Sequence, residues 1–164
     1  MTINMLLATM LAAAQPATPA TTDRVVDVSD ARAVAALLKE AGYKAEIKTD
    51  SGGESYIVSS AGGNEFRVIF YGCTHDANCD SLQFYSWFKK EPFFSPDMAN
   101  EWNKEWRFLK VAIDKDGDLS EYMDISAIGK MTYANFRDYI DWYESMDSKL
   151  ITFVSDKRKA APAK

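Results

Sequence analysis

Residues 114 to 118 read Asp-Lys-Asp-Gly-Asp, with carboxylates at alternate positions beside a glycine. Many calcium-binding loops begin this way, but they also need glycine at the sixth position and a bidentate glutamate at the twelfth. Counted from Asp114, those two positions hold Leu119 and Ile125. The pattern therefore does not support a calcium site.

The same residues fit a hairpin turn. A three-residue loop of Lys115, Asp116 and Gly117, with Gly117 in the left-handed conformation, places Ile113 and Leu109 opposite apolar residues of the second strand. A two-residue loop would mix polar and apolar residues on one face. The three-residue loop predicts the pairs Ile113 with Leu119, Val111 with Glu121, and Leu109 with Met123.

A polar loop between residues 71 and 80 holds Cys73, Cys79 and the only histidine, His75. The cysteines could form a disulfide, remain free thiols, or join His75 and Asp76 or Asp80 in a metal site. Structural zinc sites usually draw on two separated ligand pairs, and this chain offers no second pair. The disulfide is the favoured interpretation, and it would suit an exported protein.

Catalytic motifs are missing from the sequence. One histidine leaves little room for a Ser/His/Asp relay, and there is no GxSxG, HExxH or phosphate-binding glycine loop. We expect no enzymatic activity, no catalytic residues, no cofactor and no metal. The alternative is a small-ligand binder or enzyme with a pocket between sheet and helices, using Asp124, Asn103 and Arg107.

Aromatic residues are abundant, at 13% of the chain. Trp and Tyr are favoured at protein interfaces, so some of them could bind a partner. The alternative is that they fill the core between sheet and helices. The candidate partner-binding residues are Tyr85, Trp87, Trp102 and Trp106.

The order of elements predicts an α+β fold with an antiparallel sheet and packed helices, in the order α-βββ(β)-α-ββ-α. The first helix begins near Asp30 and ends before Gly42, and the second begins at Ser95-Pro96. Extended segments follow at 44–49, 54–60, 64–72 and 81–88, and two more flank the loop at 114–118. Thr132 starts a last helix with an apolar stripe.

The chain is predicted to consist of three consecutive segments. Residues 1–22 combine an apolar run with small residues, as in a signal peptide and linker, although no Lys or Arg precedes the run. Residues 23–154 form a single domain, and 155–164 are predicted to be a disordered basic tail. Export predicts a periplasmic or secreted protein with no integral membrane segment after cleavage. The net charge of −5 argues against binding nucleic acid or anionic membranes.

Residues 29 to 150 resemble the YbjN family, named for bacterial sensory transduction regulators. The resemblance rests on FYGC…C…SLQFYSWF, NEWNKEWRF, KVAIDKDGDL, MDI and a terminal helix containing DWY. The residues that match its motifs are Trp102, Asn103, Arg107, Phe108, Asp116 and Gly117. We expect a structural role for them, with Asn103 and Arg107 hydrogen-bonding the loop backbone.

The resemblance implies a fold similar to type III secretion chaperones, which bind polypeptides and often dimerise. It therefore implies a polypeptide partner, whose identity is unknown, and a homodimer. It supplies no catalytic residue or ligand. The leading expectation is a non-enzymatic, exported binding, accessory or regulatory protein that engages its partner through an apolar surface.

Overall fold

The computed structural model describes residues 24–162 of the chain, so the predicted signal peptide lies outside the described residues. The helices are α1 (Ala31–Glu40), α2 (Pro96–Glu105) and α3 (Tyr133–Ala160). The strands are β1 (Val25–Val26), β2 (Glu46–Thr49), β3 (Ser55–Ala61), β4 (Asn64–Tyr71), β5 (Ser81–Phe88), β6 (Lys110–Ile113), β7 (Leu119–Ser126) and β8 (Met131–Thr132). The predicted α+β class is confirmed.

One antiparallel sheet of six strands, in the order β2-β3-β4-β5-β7-β6, organises the molecule. Side chains alternate across it because successive strand residues point to opposite faces. One face is buried beneath the helices, as shown by Tyr143 of α3, whose ring centroid lies 4.9 Å from that of Phe66 and 5.3 Å from that of Phe84. Side chains of the other face are mostly half-buried or exposed.

Each helix begins at a residue that the sequence marks. The side chains of Asp30, Ser95 and Thr132 cap α1, α2 and α3 by accepting hydrogen bonds from backbone N–H groups of the first turn. Gly42, just after α1, takes a φ of +93°. Among the described residues, no helix combines the length and the apolar character needed to cross a membrane.

The predicted hairpin register is confirmed at two of its three pairs. Ile113 pairs with Leu119 and Val111 with Glu121, whereas the third predicted pair falls before β6 begins. Gly117 has a φ of +84°. The loop at 114–118 therefore turns the chain between two strands.

The prediction for residues 155–164 was wrong in part, because α3 continues to Ala160. Two ion pairs hold this end of the helix: Lys157 Nζ lies 2.5 Å from Glu101 Oε2, and Arg158 pairs with Glu91. Basic residues also suit the last turn of a helix, where the dipole is negative. The lysine and arginine run that indicated a solvated tail therefore stabilises a helix end.

The short strands β1 and β8 were not predicted. They pair with each other in a separate two-stranded sheet, Val25 with Thr132 and Val26 with Met131. Two residues give no periodicity from which a strand can be recognised.

Candidate functional site: the open face of the sheet

We call the outward-pointing side of the six-stranded sheet the open face. Its larger side chains come from four adjacent strands, β3, β4, β5 and β7. They are Tyr56, Arg67, Ile69, Tyr71, Gln83, Tyr85, Trp87, Tyr122 and Asp124. An antiparallel sheet with one solvated face usually carries polar residues there, so this aromatic content is unusual.

Arg67 lies at the centre of the aromatic part of the open face. Its guanidinium carbon is 5.1 Å from the centroid of the Tyr56 ring and 4.8 Å from that of the Trp87 ring. Trp87 also lies against Tyr85, at a centroid distance of 5.9 Å. Cation–π contacts of this kind hold an arginine in place without using its hydrogen-bond donors.

The guanidinium of Arg67 is not neutralised by a neighbouring acid. Arg67 forms no ion pair with any described residue, and its Nε, which is buried, has no hydrogen-bond partner among them. Arg67 lines a cleft of about 140 Å³ together with Tyr56 and Ile69. A guanidinium with free N–H groups can bind a carboxylate or a carbonyl oxygen.

A polar row crosses the rest of the open face. Tyr71 donates its hydroxyl to Gln83 Oε1 at 3.1 Å, and Gln83 Nε2 donates to Asp124 Oδ1 at 2.7 Å. The open face therefore combines a fixed aromatic patch with orientated hydrogen-bonding groups, as protein interfaces do.

The four predicted partner-binding aromatics do not share one surface. Tyr85 and Trp87 lie on the open face. Trp106 is half-buried in a groove of about 450 Å³ beside Phe153 of α3, at a distinct place in the fold. Trp102 was wrongly assigned, because it is completely buried and cannot contact a partner.

Trp102 and Asn103 instead join α2 to β6. Trp102 Nε1 donates to the Leu109 carbonyl at 3.0 Å. Asn103 Nδ2 donates to the Val111 carbonyl at 2.8 Å, and Asn103 Oδ1 accepts from the Val111 N–H at 3.0 Å. Asn103 thus bonds the outer edge of β6 as a neighbouring strand would, and its structural assignment agrees with this geometry.

Arg107 does not make the backbone hydrogen bond that we expected. Its side chain is exposed, and its guanidinium carbon lies 5.3 Å from the centroid of the Phe108 ring. Phe108 stacks on Trp142 at 4.6 Å and has a φ of +64°. The junction is therefore fixed by Asn103 and by the buried Trp102.

The carboxylates at 114–118 stabilise the turn. Asp114 Oδ1 accepts hydrogen bonds from the backbone N–H groups of Asp116 and Asp118, each at 2.9 Å. Asp118 accepts from Lys89 Nζ at 2.8 Å and from the Lys90 N–H at 2.9 Å, and these contacts lower the pKa of Asp118. Within residues 24–162, no three His, Cys, Asp or Glu side chains converge in a way that could hold a metal ion.

Cys73 and Cys79 form a disulfide, as the sequence indicated. The loop that it closes attaches to the start of β3: the Asp76 carboxylate accepts from Ser55 N at 2.8 Å and from Ser55 Oγ at 2.5 Å. These bonds lower the pKa of Asp76. His75 lines a small cleft near this loop and is the only histidine of the chain.

The residues of the alternative ligand pocket lie in separate environments. Asp124 belongs to the polar row of the open face, Asn103 bonds the β6 backbone, and Arg107 points to solvent beside Phe108. No described contact joins any two of the three, so the geometry gives that hypothesis no support.

A buried group of acids between sheet and helix was not predicted. Glu121 of β7 is 1% exposed, and its Oε1 accepts a hydrogen bond from the Tyr143 hydroxyl at 3.0 Å. Nearby Asp147 is 3% exposed and accepts from Asn64 Nδ2 at 2.9 Å. Burial, together with the charge of Asp147, raises the pKa of Glu121 to about 8, and burial also raises the pKa of Asp147.

A signal for this group was present in the sequence. The predicted hairpin register already placed Glu121 opposite Val111, on the apolar face of β7. Asp147 stands four residues after Tyr143, which is the spacing of the apolar stripe on α3.

Comparison with known proteins gives one match. Residues 30–154 match the family model of YbjN, described as "Putative bacterial sensory transduction regulator". No curated protein and no solved structure was found to match. The matched region covers more than half of the chain and includes the whole six-stranded sheet, so the chain belongs to the YbjN family.

Proposed function

We propose that this protein is a non-enzymatic regulatory or accessory protein that binds a polypeptide partner on its open face. Membership in the YbjN family supports a regulatory or accessory role in general terms. The observation that carries the specific proposal is Arg67, which is held against Tyr56 and Trp87 and has no ion-pair partner among the described residues.

The chemistry of the open face suits a polypeptide. Tyr and Trp bury large areas with little loss of conformational freedom, and arginine is enriched with them at the centres of interfaces. Arg67 offers donors to a carboxylate or a main-chain carbonyl of the partner. Asp124, at the other end of the face, offers a complementary acceptor, since it is exposed and its carboxylate bonds only Gln83 among the described residues.

We also propose that the partner is met in the periplasm or outside the cell. The disulfide between Cys73 and Cys79 supports this, because such bonds persist in oxidising compartments. The apolar run in residues 1–22 is consistent with export.

The experiment is site-specific photocrosslinking in the producing cells. A photoreactive residue replaces Tyr85 in one variant and Ile128, which is 73% exposed in the loop after β7, in the control. We expect a discrete protein adduct at position 85 and none at position 128. Adding Arg67→Ala to the first variant should abolish the adduct without changing the circular dichroism spectrum.

Two results would overturn the proposal. One is the same set of adducts at both positions, which would indicate unspecific contact. The other is an adduct at position 85 that survives Arg67→Ala and Trp87→Ala together. Mass spectrometry of the purified protein for a small molecule, lost in the same variants, would identify a ligand site in place of a polypeptide site.

A further inference from the structure

The two edges of the six-stranded sheet differ in how their backbone groups are satisfied. At the β6 edge, Asn103 bonds both the N–H and the carbonyl of Val111. At the other edge lies β2, whose four residues are all exposed, and Ile47 at its centre is 41% exposed. A strand edge of this kind is a template for pairing with another strand.

Hydrogen bonds of the residues on either side of β2 indicate which backbone groups of the strand are free. Asp50 N donates to the Glu54 carbonyl at 3.0 Å, and Ser59 Oγ donates to the Lys44 carbonyl at 2.7 Å. Bonded residues alternate along an antiparallel strand, so the even-numbered residues of β2 bond to β3. Ala45, Ile47 and Thr49 therefore direct their N–H and carbonyl groups away from the sheet.

The side chains of β2 are complementary to those of a second β2 running in the opposite direction. If Ile47 faced the partner's Ile47, Glu46 would face the partner's Lys48, and Lys48 would face the partner's Glu46. These two side chains are exposed by 71% and 44% and lie on the same face, with Lys48 Nζ 3.5 Å from Glu46 Oε2. Opposite charges across a strand pair stabilise it, whereas like charges destabilise it.

The same register also suits the free backbone groups. Ile47 would form a hydrogen-bonded pair with the partner's Ile47. Ala45 of each copy would form such a pair with Thr49 of the other copy, one pair on either side of the central Ile47 pair. Charged side chains on an edge usually discourage pairing with other strands. In β2 an acidic, an apolar and a basic residue follow one another. A second copy of the same strand, running in the opposite direction, therefore places an opposite charge against each charged side chain.

We propose that two copies of this chain pair antiparallel through β2, centred on Ile47, and so join their sheets into one. This interface lies at the β2 edge of the sheet, where Glu46 and Lys48 pair with Val58 and Tyr56 on the side of the open face. The proposal does not depend on the function proposed for the open face. The contact is short, so the dimer is weak and reversible.

The test uses two charge variants of the full chain. Glu46→Lys places Lys opposite Lys at both ends of the pairing, and Lys48→Glu places Glu opposite Glu. Sedimentation velocity from about 10 µM to about 1 mM should show a concentration-dependent dimer for the unsubstituted protein. Each variant alone should dimerise about tenfold more weakly, or worse, because two cross-strand attractions become repulsions.

The decisive measurement is the mixture of the two variants. A Glu46→Lys copy and a Lys48→Glu copy regain opposite charges at both positions, so they should form a heterodimer at least as strong as the original homodimer. Labelling one variant with ¹⁵N separates homodimer from heterodimer by native mass spectrometry. Lys104 and Glu105 of α2 are exposed and form no ion pair with any described residue. They give the control substitutions Lys104→Glu and Glu105→Lys, which should leave dimerisation unchanged.

A monomer throughout the concentration range would overturn the proposal. So would a dimer that both single variants form as well as the unsubstituted chain. A mixture that dimerises no better than its components would exclude the antiparallel register centred on Ile47.

Discussion

Glu121→Gln should change how the stability of the protein depends on pH. The pKa of Glu121 is raised from an ordinary 4.5 to about 8, chiefly by burial and secondly by the charge of Asp147. Between these values the folded state keeps a proton that the unfolded state has lost, so stability falls as the pH rises. Each pH unit in this range costs about 1.4 kcal/mol, which amounts to several kcal/mol between pH 5 and pH 8.

Glutamine removes this proton linkage while keeping the shape of the side chain. Its carbonyl oxygen can still accept the hydrogen bond that Tyr143 donates to Glu121. At pH 5 we expect the free energies of unfolding of the two proteins to differ by less than about 1 kcal/mol. At pH 8 the variant should be more stable by several kcal/mol, and its profile should be much flatter, with the remaining slope due to Asp147.

Urea denaturation, followed by tryptophan fluorescence at half-unit intervals from pH 5 to pH 9, measures the effect. Glu54→Gln is the matched control, since it removes the same charge from an exposed position and should leave the profile unchanged. If the free energy of unfolding changed with pH in the same way for the unsubstituted protein and for Glu121→Gln, the reasoning would be refuted. That result would mean that Glu121 is ionised in the folded protein at pH 5.

Four further variants test other parts of the structure. Asn103→Ala leaves an N–H and a carbonyl of β6 without their side-chain partner and should cost about 1–3 kcal/mol in urea denaturation; an unchanged midpoint would show that the edge is held in another way. Trp102→Ala should cost about 3–5 kcal/mol because the side chain is completely buried, whereas Trp87→Ala should affect crosslinking far more than stability. The double change Cys73→Ser with Cys79→Ser should lower stability by about 2 kcal/mol, and reductant should then have no further effect on the melting temperature.

Most of the fold could be predicted because local signals agreed with one another. Ser95 followed by Pro96, and Thr132 before an apolar stripe, mark where α2 and α3 begin. Gly117, three residues after Asp114, indicated the hairpin register, because the three-residue loop placed Ile113 opposite Leu119 whereas a two-residue loop would have placed it opposite Ser120. These features are short-range, and the sequence displays them directly.

The arrangement of the candidate site could be predicted only in part. Alternation along β5 placed Tyr85 and Trp87 on one side of the sheet, but it could not show that Arg67 of β4 and Tyr56 of β3 lie against them. That contact depends on the order of the strands. Trp102 was misassigned for a related reason: helical spacing gives the face on which a side chain lies, but not what covers that face.

The side chain of Asn103 has a consequence for how large an assembly can become. A sheet with two free edges can add copies indefinitely, and fibres grow in this way. Here the amide group of Asn103 already bonds the N–H and the carbonyl of Val111 on the β6 edge, so pairing at β2 would use the other edge. If two copies pair through β2, each edge that remains outward in the dimer carries this amide group, and we expect association through the sheet to stop at two copies.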